Sequence, residues 1–175
     1  MNNIVLIGYR CTGKSTVARA LAKMLEIPAV DTDEIVQRLT GLSITRMVAE
    51  GGWELFRTYE RDVIADVVRK ERNVIATGGG VVEDENNRRL LSEGNMIIWL
   101  TADSRTISKR MVIDGKSEEE RPPLSNDPLV DEIDRILEKR TPLYREMADL
   151  VIDTTVAAAD ETAGKIVEHM ERERK

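Results

Sequence analysis

Short apolar runs recur along the chain at near-regular intervals. Five of them, 3–7 (NIVLI), 28–31 (PAVD), 73–77 (NVIAT), 96–100 (MIIWL) and 149–153 (DLVID), are apolar on both faces and bounded by Gly, Asn, Asp or Thr. Such runs predict strands covered on both sides, as in a parallel sheet. Between them the apolar spacing changes to a helical period. Helices are predicted after Lys14, as a pair from Ser43 to Lys70 broken near Gly51 and Gly52, and over about 84–92, 103–112, 128–146 and 158–172. Within 53–68, Phe56, Glu60, Val63, Ile64 and Val67 fall on one stripe. Alternating strands and helices predict an α/β fold, a three-layer α/β/α sandwich around a five-stranded parallel sheet. Right-handed crossovers put helices on both faces, and ligands then bind at the carboxyl ends of the strands.

One stretch breaks the pattern. IDGKSEEERPPLSNDP (113–128) is polar, with three prolines and a run of three glutamates, and is too long for a simple connection. It reads as a mobile lid at about 112–126 or as a disordered insertion. No repeat or linker divides the rest, so one domain over 1–175 is expected. The chain has 175 residues, enough for a sizeable core. Aromatic residues are only 3%, so that core must be aliphatic, and Met24, Met47, Met96, Met111, Met147 and Met170 read as its fillers. The net charge of −6 argues against broad nucleic-acid binding but leaves room for a small anion held by a few local arginines. The lone cysteine, Cys11, allows no internal disulfide, and no apolar run approaches membrane-spanning length. A cytoplasmic, unprocessed protein is expected, with a monomer as its state and no membrane or nucleic-acid partner.

The first strand runs into GYRCTGKS (8–15), which fits G-x-x-x-x-G-K-[ST]. Glycines at 8 and 13 let backbone N–H groups curl around an anion at the start of the next helix. Lys14 would reach the terminal phosphates and Ser15 would put its hydroxyl on Mg²⁺. Arg10, Cys11, Thr12 and Thr16 complete the candidate nucleotide site, with Cys11 read as a small filler. The guanine-reading Asn-Lys-x-Asp pattern is absent, which favours ATP.

Four further clusters bear on the acceptor. DTD places Asp31 and Asp33 at a strand's carboxyl end, pointing the same way while the chain stays extended. One carboxylate can hold water on Mg²⁺ and the other can take a hydroxyl proton. Asp31-x-x-Glu34 also fits a helix-capping box, and the two roles are compatible. Arg57, in FRTYE, can pair bidentately with a substrate carboxylate, or its charge can simply be offset by Glu54 and Glu60. Gly78, Gly79 and Gly80 follow a strand and let a ligand approach the backbone. Arg121, in RPPL, can reach phosphates from a lid. Arg140 precedes Pro142, which is expected to bend or end its helix.

GYRCTGKST, DTD, FRTYE, TGGG, RPPL and RTPLYRE stand in the order and spacing of shikimate kinase, and the chain resembles that family over nearly its whole length. The resemblance implies a P-loop NTPase fold of the nucleoside-monophosphate-kinase-like type, with substrate-binding helices at about 33–62 and a mobile lid. It implies ATP-dependent phosphorylation of the 3-hydroxyl of shikimate, a step of aromatic amino-acid biosynthesis. It puts Asp33, Arg57, Gly78, Gly79, Gly80 and Arg140 on shikimate, with Asp33 as the base. Asp31 would be linked to Mg²⁺ through water, Arg121 would be the lid arginine, and Arg110 would pack on adenine. The chain departs from the family in a longer, more acidic lid and in DTTVAAAD (153–160), which lacks the arginine and proline common in the adenine loop. Other small-molecule kinases of gluconate or nucleotide type, and a non-catalytic nucleotide-binding protein, remain the alternatives.

Overall fold

The computed structural model describes residues 2–114 and 128–173. Its centre is strand β1 (Ile4–Ile7), at most 3% exposed at each residue. Side chains alternate across a strand, so Ile4 and Leu6 join one core and Val5 and Ile7 another. Fully burying each contributes roughly 1.5–3 kcal/mol relative to exposure. The first core holds Val17, Ala18 and Leu21 of α1 (Lys14–Leu25) and Ala163, Ile166 and Met170 of α7 (Ala159–Glu173). The second core lies under α2 (Thr32–Thr40), α3 (Ile44–Val67), α4 (Glu85–Ser92) and α6 (Leu129–Met147). A smaller cluster joins Tyr9 to α6 and α5 (Ser104–Asp114).

Beside β1 lie β3 (Val74–Ala76) and β4 (Met96–Thr101), with β2 (Ala29–Asp31) and β5 (Leu150–Asp153) outside them. The order is β2-β3-β1-β4-β5 and every pairing is parallel. The chain leaves β1 toward β2 and β3 on one side and later reaches β4 on the other. That reversal places a crevice at the carboxyl end of β1, where the glycine-lysine loop begins.

The five strands match those read from the sequence. The expectation that all are buried on both faces holds for β1, β3 and β4 but not for the edges. Ala29 and Val151 are exposed, because β2 and β5 each have a neighbour on one side only. Met24 is also outside the core, at 48% exposure, while Met47, Met96, Met111, Met147 and Met170 are buried. The predicted lid falls largely outside the described residues, and Val112 to Asp114 form the end of α5. Pro142 does not end its helix, since α6 continues to Met147.

The break expected near Gly51 and Gly52 is a kink within α3. Gly52 has φ 69° and ψ 179°, a conformation nearly closed to residues with a Cβ. It lets two helical halves meet at an angle, so that Trp53, Phe56 and Arg57 begin a new direction. A Cβ at Gly52 would meet nothing within 4 Å, so the constraint is purely backbone. Gly52→Ala should therefore lower stability by about 1–3 kcal/mol. An unchanged urea midpoint for this variant would mean the kink tolerates an ordinary residue.

Candidate active site

The loop after β1 is built from unusual backbone. Gly8, Cys11 and Gly13 have φ of 139°, 60° and 93°. A Cβ at Gly8 would sit 2.3 Å from the Leu100 carbonyl oxygen, so only glycine lets the loop pass β4. Cys11 holds a left-handed conformation without being glycine, and the Thr12 N–H after it donates to the Tyr9 carbonyl at 3.4 Å. Thr12 turns its hydroxyl inward to the Tyr9 carbonyl (2.8 Å). Gly13 caps α1 with no side-chain acceptor, so the first N–H groups of that helix face outward for an anion. Lys14 Nζ donates to the Tyr9 carbonyl oxygen at 2.6 Å, and Thr16 is exposed at the loop's edge.

Asp31 joins this loop to the next element. Its Oδ1 accepts from the N–H groups of Asp33 (3.0 Å) and Glu34 (3.4 Å), capping α2. Its Oδ2 accepts from the Ser15 hydroxyl at 2.5 Å. The helix begins at Thr32, so the chain is not extended across DTD and the two aspartates do not point the same way for that reason. Capping wins over continued strand, and it brings Asp33 into the first turn of α2, 5% exposed.

Asp33 lines a pocket of about 450 Å³, its open mouth included, together with Arg10, Arg57, Arg140 and Gly78 to Gly80. Tyr9, Ile44, Trp53 and Phe56 complete the wall. Half of the chain's six aromatic residues are therefore here, a concentration the composition alone conceals. The Arg57 guanidinium lies 5.7 Å from the Trp53 ring centre and 5.3 Å from that of Phe56. At these distances the ring faces attract the cation.

The three glycines serve close packing. A Cβ at Gly80 would lie 1.9 Å from Arg57 Nη2. At Gly78 it would lie 2.7 Å from Asp33 Oδ1 and 2.8 Å from Glu60 Oε1. Any side chain at either position would expel the charged groups that define the pocket. Tyr144, buried and stacked on Trp99 with ring centres 5.6 Å apart, donates its hydroxyl proton to the Gly79 carbonyl and holds the turn.

Each guanidinium of the pocket has a carboxylate partner, and only that of Arg57 was named from the sequence. Arg57 Nη1 pairs with Glu60 at 2.6 Å, a contact foreshadowed by the i, i+3 spacing. Arg10, expected on the nucleotide, turns its side chain to the buried Glu132 (2.7 Å), 122 residues away in sequence. Arg140 is 6% exposed and pairs with Glu83 at 2.9 Å. Arg61, four residues after Arg57, makes surface pairs with Glu54 and Asp84. Arg110 donates to the carbonyls of Thr154 (2.6 Å) and Cys11 (3.3 Å), tying the phosphate loop to the loop after β5. Arg121 lies outside the described residues.

The phosphate loop, Asp33 and the arginine-lined pocket thus share one end of the sheet. A family model for shikimate kinase matches residues 10–171. The chain belongs to the shikimate kinase family. Shikimate kinases from Syntrophus aciditrophicus and Thermodesulfovibrio yellowstonii are 38% and 41% identical to it, each across 98% of this chain and 92% and 96% of their own lengths. A shikimate kinase from Acinetobacter baumannii, solved in complex with shikimate, superposes with a TM-score of 0.92 at 31% identity, covering 99% of this chain and 94% of that one. The P-loop kinase fold is common to the family, and ATP is its phosphoryl donor. No helix among the described residues is long and apolar enough to cross a membrane.

Burial pushes the Glu60 carboxyl up to about 7, against the attraction of Arg57, and the charge of Asp33 pushes the same way. The native carboxyl therefore keeps its proton above the ordinary value of 4.5, and between the two the folded chain binds more protons than the unfolded one. The stability this contributes is complete below the unfolded value and is lost as pH rises through the folded one. The stability of the wild type relative to Glu60→Gln should accordingly fall from about pH 5 to pH 8. Urea titrations at each pH measure it, and a pH-independent difference would show that Glu60 titrates normally.

Proposed function

We propose that the chain transfers the terminal phosphoryl group of ATP to the 3-hydroxyl of shikimate, giving shikimate 3-phosphate and ADP. The observation that carries this reading is the meeting of Asp33 with Arg57 and Arg140 in one pocket beside the phosphate loop. Shikimate is a small acid with several hydroxyls. Two guanidinium groups suit its carboxylate, and a buried aspartate suits a hydroxyl. The apolar wall from Ile44, Trp53 and Phe56 suits a ring and excludes water from it.

In this reading Arg57 and Arg140 fix the carboxylate, with the backbone at Gly78, Gly79 and Gly80 close to the ring. That orientation turns one hydroxyl to Asp33. As the hydroxyl oxygen bonds to the terminal phosphorus, its proton passes to Asp33 and the bond to the bridging oxygen breaks. ADP leaves with that electron pair. Lys14 and the N–H groups at the start of α1 balance charge on the phosphates. The loop residues Gly8, Cys11, Thr12, Gly13 and Thr16 supply backbone to the same cradle. Arg110 borders the adenine side, and Arg121 reaches the phosphates in the role that the family resemblance gives it.

The oxygen donors at Ser15 and Asp31 fit Mg²⁺. They are hard ligands, and a magnesium ion takes one or two protein groups with water and phosphate oxygens making up the rest. The Ser15 hydroxyl donates a hydrogen bond to Asp31, which leaves the hydroxyl oxygen's lone pairs for a cation. Mg²⁺, when bound, neutralises phosphate charge and lines up the transferring group. A cytoplasmic monomer is the setting proposed with this activity.

The direct test is ADP release over a panel of hydroxylated acids and nucleotides, where shikimate should give by far the highest kcat/KM. Asp33→Asn should lower kcat by about 10²–10⁴-fold while ATP still binds. Arg57→Ala or Arg140→Ala should weaken shikimate binding by about 10–150-fold with little change for ATP. Retained turnover in the aspartate variant, or equal losses for both ligands in the arginine variants, would move these residues out of their roles.

A further inference from the structure

The contact between Arg140 and Glu83 has no part in the mechanism above, yet it engages both arginines assigned to the substrate carboxylate. Glu83 Oε2 lies 2.9 Å from Arg140 Nη2 and 3.6 Å from Arg57 Nη2. A protein carboxylate thus stands between the two guanidinium groups, where an acidic ligand would seek the same hydrogen bonds. The placement is built in by the backbone. Val81–Glu83 form one turn of 3₁₀ helix, with the Glu83 N–H donating to the Gly80 carbonyl at 3.0 Å. Arg88 donates to the Val82 carbonyl at 2.7 Å, and Asp84 next in line caps α4 through the Asn87 N–H. The turn is therefore pinned on both sides, and the Glu83 side chain is directed at the arginines from a fixed base.

The two ends of this contact differ in solvent access. The Arg140 side chain is 7% exposed and that of Arg57 18%, whereas Glu83 is 47% exposed. The arginines cannot shed their charge or reach water easily, so an adjacent counterion stabilises them. Glu83 can swing into water with its charge solvated. The remaining carboxylates near these arginines are more firmly placed: Glu60 is buried against Arg57, and Asp33 is buried in the pocket.

We propose that Glu83 is a resident counterion of the acid-binding arginines, which the substrate carboxylate must displace, and that it thereby sets the affinity of the site for carboxylic acids. The inference rests on the reading that Arg57 and Arg140 bind the substrate carboxylate. With Glu83 in place, the ligand-free pocket holds no uncompensated pair of buried guanidiniums. When the acid enters, it replaces one carboxylate by another, and the net gain is smaller than for bare arginines. Weaker binding of substrate and of its phosphorylated product follows, which favours release.

The test is isothermal titration of shikimate, and of a neutral analogue in which a hydroxymethyl group replaces the carboxylate, into wild type, Glu83→Gln and Glu83→Ala. Removing the charge should tighten shikimate binding by about two- to fivefold, roughly one rim charge pair's worth, and leave the affinity for the analogue unchanged. Ligand-free Glu83→Gln should melt earlier than wild type, and saturating shikimate should raise its melting temperature by more. Weaker or unchanged shikimate binding in both variants, or equal changes for acid and analogue, would overturn the proposal in favour of a purely structural contact. Arg140→Ala in the same titration separates the two readings. If it leaves shikimate affinity intact, the site assignment fails; if it weakens shikimate while the Glu83 variants do not tighten it, only the counterion role fails.

Discussion

Asp31 is the constraint on which the site's geometry turns. One of its oxygens caps α2 and the other takes the Ser15 hydroxyl. The first contact fixes where the helix starts and so where Asp33 points. The second fixes that helix against the first turn of α1, which carries Lys14. The phosphate loop and the helix that carries Asp33 are thereby coupled through a single carboxylate on the last residue of an edge strand. Phosphoryl transfer depends on positioning more than on covalent help from the protein. A side chain that sets both halves of that positioning is more consequential than its small size suggests.

An acidic protein gathers positive charge here by giving each arginine its own carboxylate. Arg10 has Glu132, Arg57 has Glu60, and Arg140 has Glu83. Burying a guanidinium without a partner is strongly unfavourable, and a well-placed partner makes the burial tolerable. The pairing also keeps each cation in one orientation, which the T-shaped Trp53 and Phe56 rings reinforce around Arg57. The glycines at 78 and 80 are the other half of this arrangement, because these charged groups sit where a Cβ would be. Net charge of the whole chain therefore says little about what the pocket attracts.

The layers of the fold were legible because they follow from local periodicity. Strands β1, β3 and β4 announce themselves as apolar runs, and Gly51-Gly52 marks the kink in α3. Strand order is not local, so the exposure of Ala29 and Val151 at the edges could not be read from their apolar runs. The start of α2 was visible only as a capping pattern competing with an extended chain, and the Asp31 cap decided between them. Among the site's ion pairs, Arg57 with Glu60 lies within one helical turn and was open to sequence reasoning. Arg10 with Glu132 and Arg140 with Glu83 join elements far apart in the chain, and no spacing rule reaches across the sheet. Of the two outcomes expected at Pro142, a bend or an end, the helix does not end there: it runs on to Met147, with Tyr144 and Met147 in the core.

Glu60 gives the pocket an asymmetry that the pairing rule does not explain. It approaches the same point beside Gly78 as Asp33 does, and two carboxylates that close repel when both are charged. Burial is the largest cause of its raised pKa, with the charge of Asp33 adding to it. Glu60 thus holds its proton closer to neutral pH than an ordinary carboxyl does. Its neighbour Asp33 stands at the head of α2, on the pocket wall. Burial and the neighbouring charge together set Glu60 apart: it is buried in the middle of α3 against Arg57, whereas Asp33 stands at a helix end.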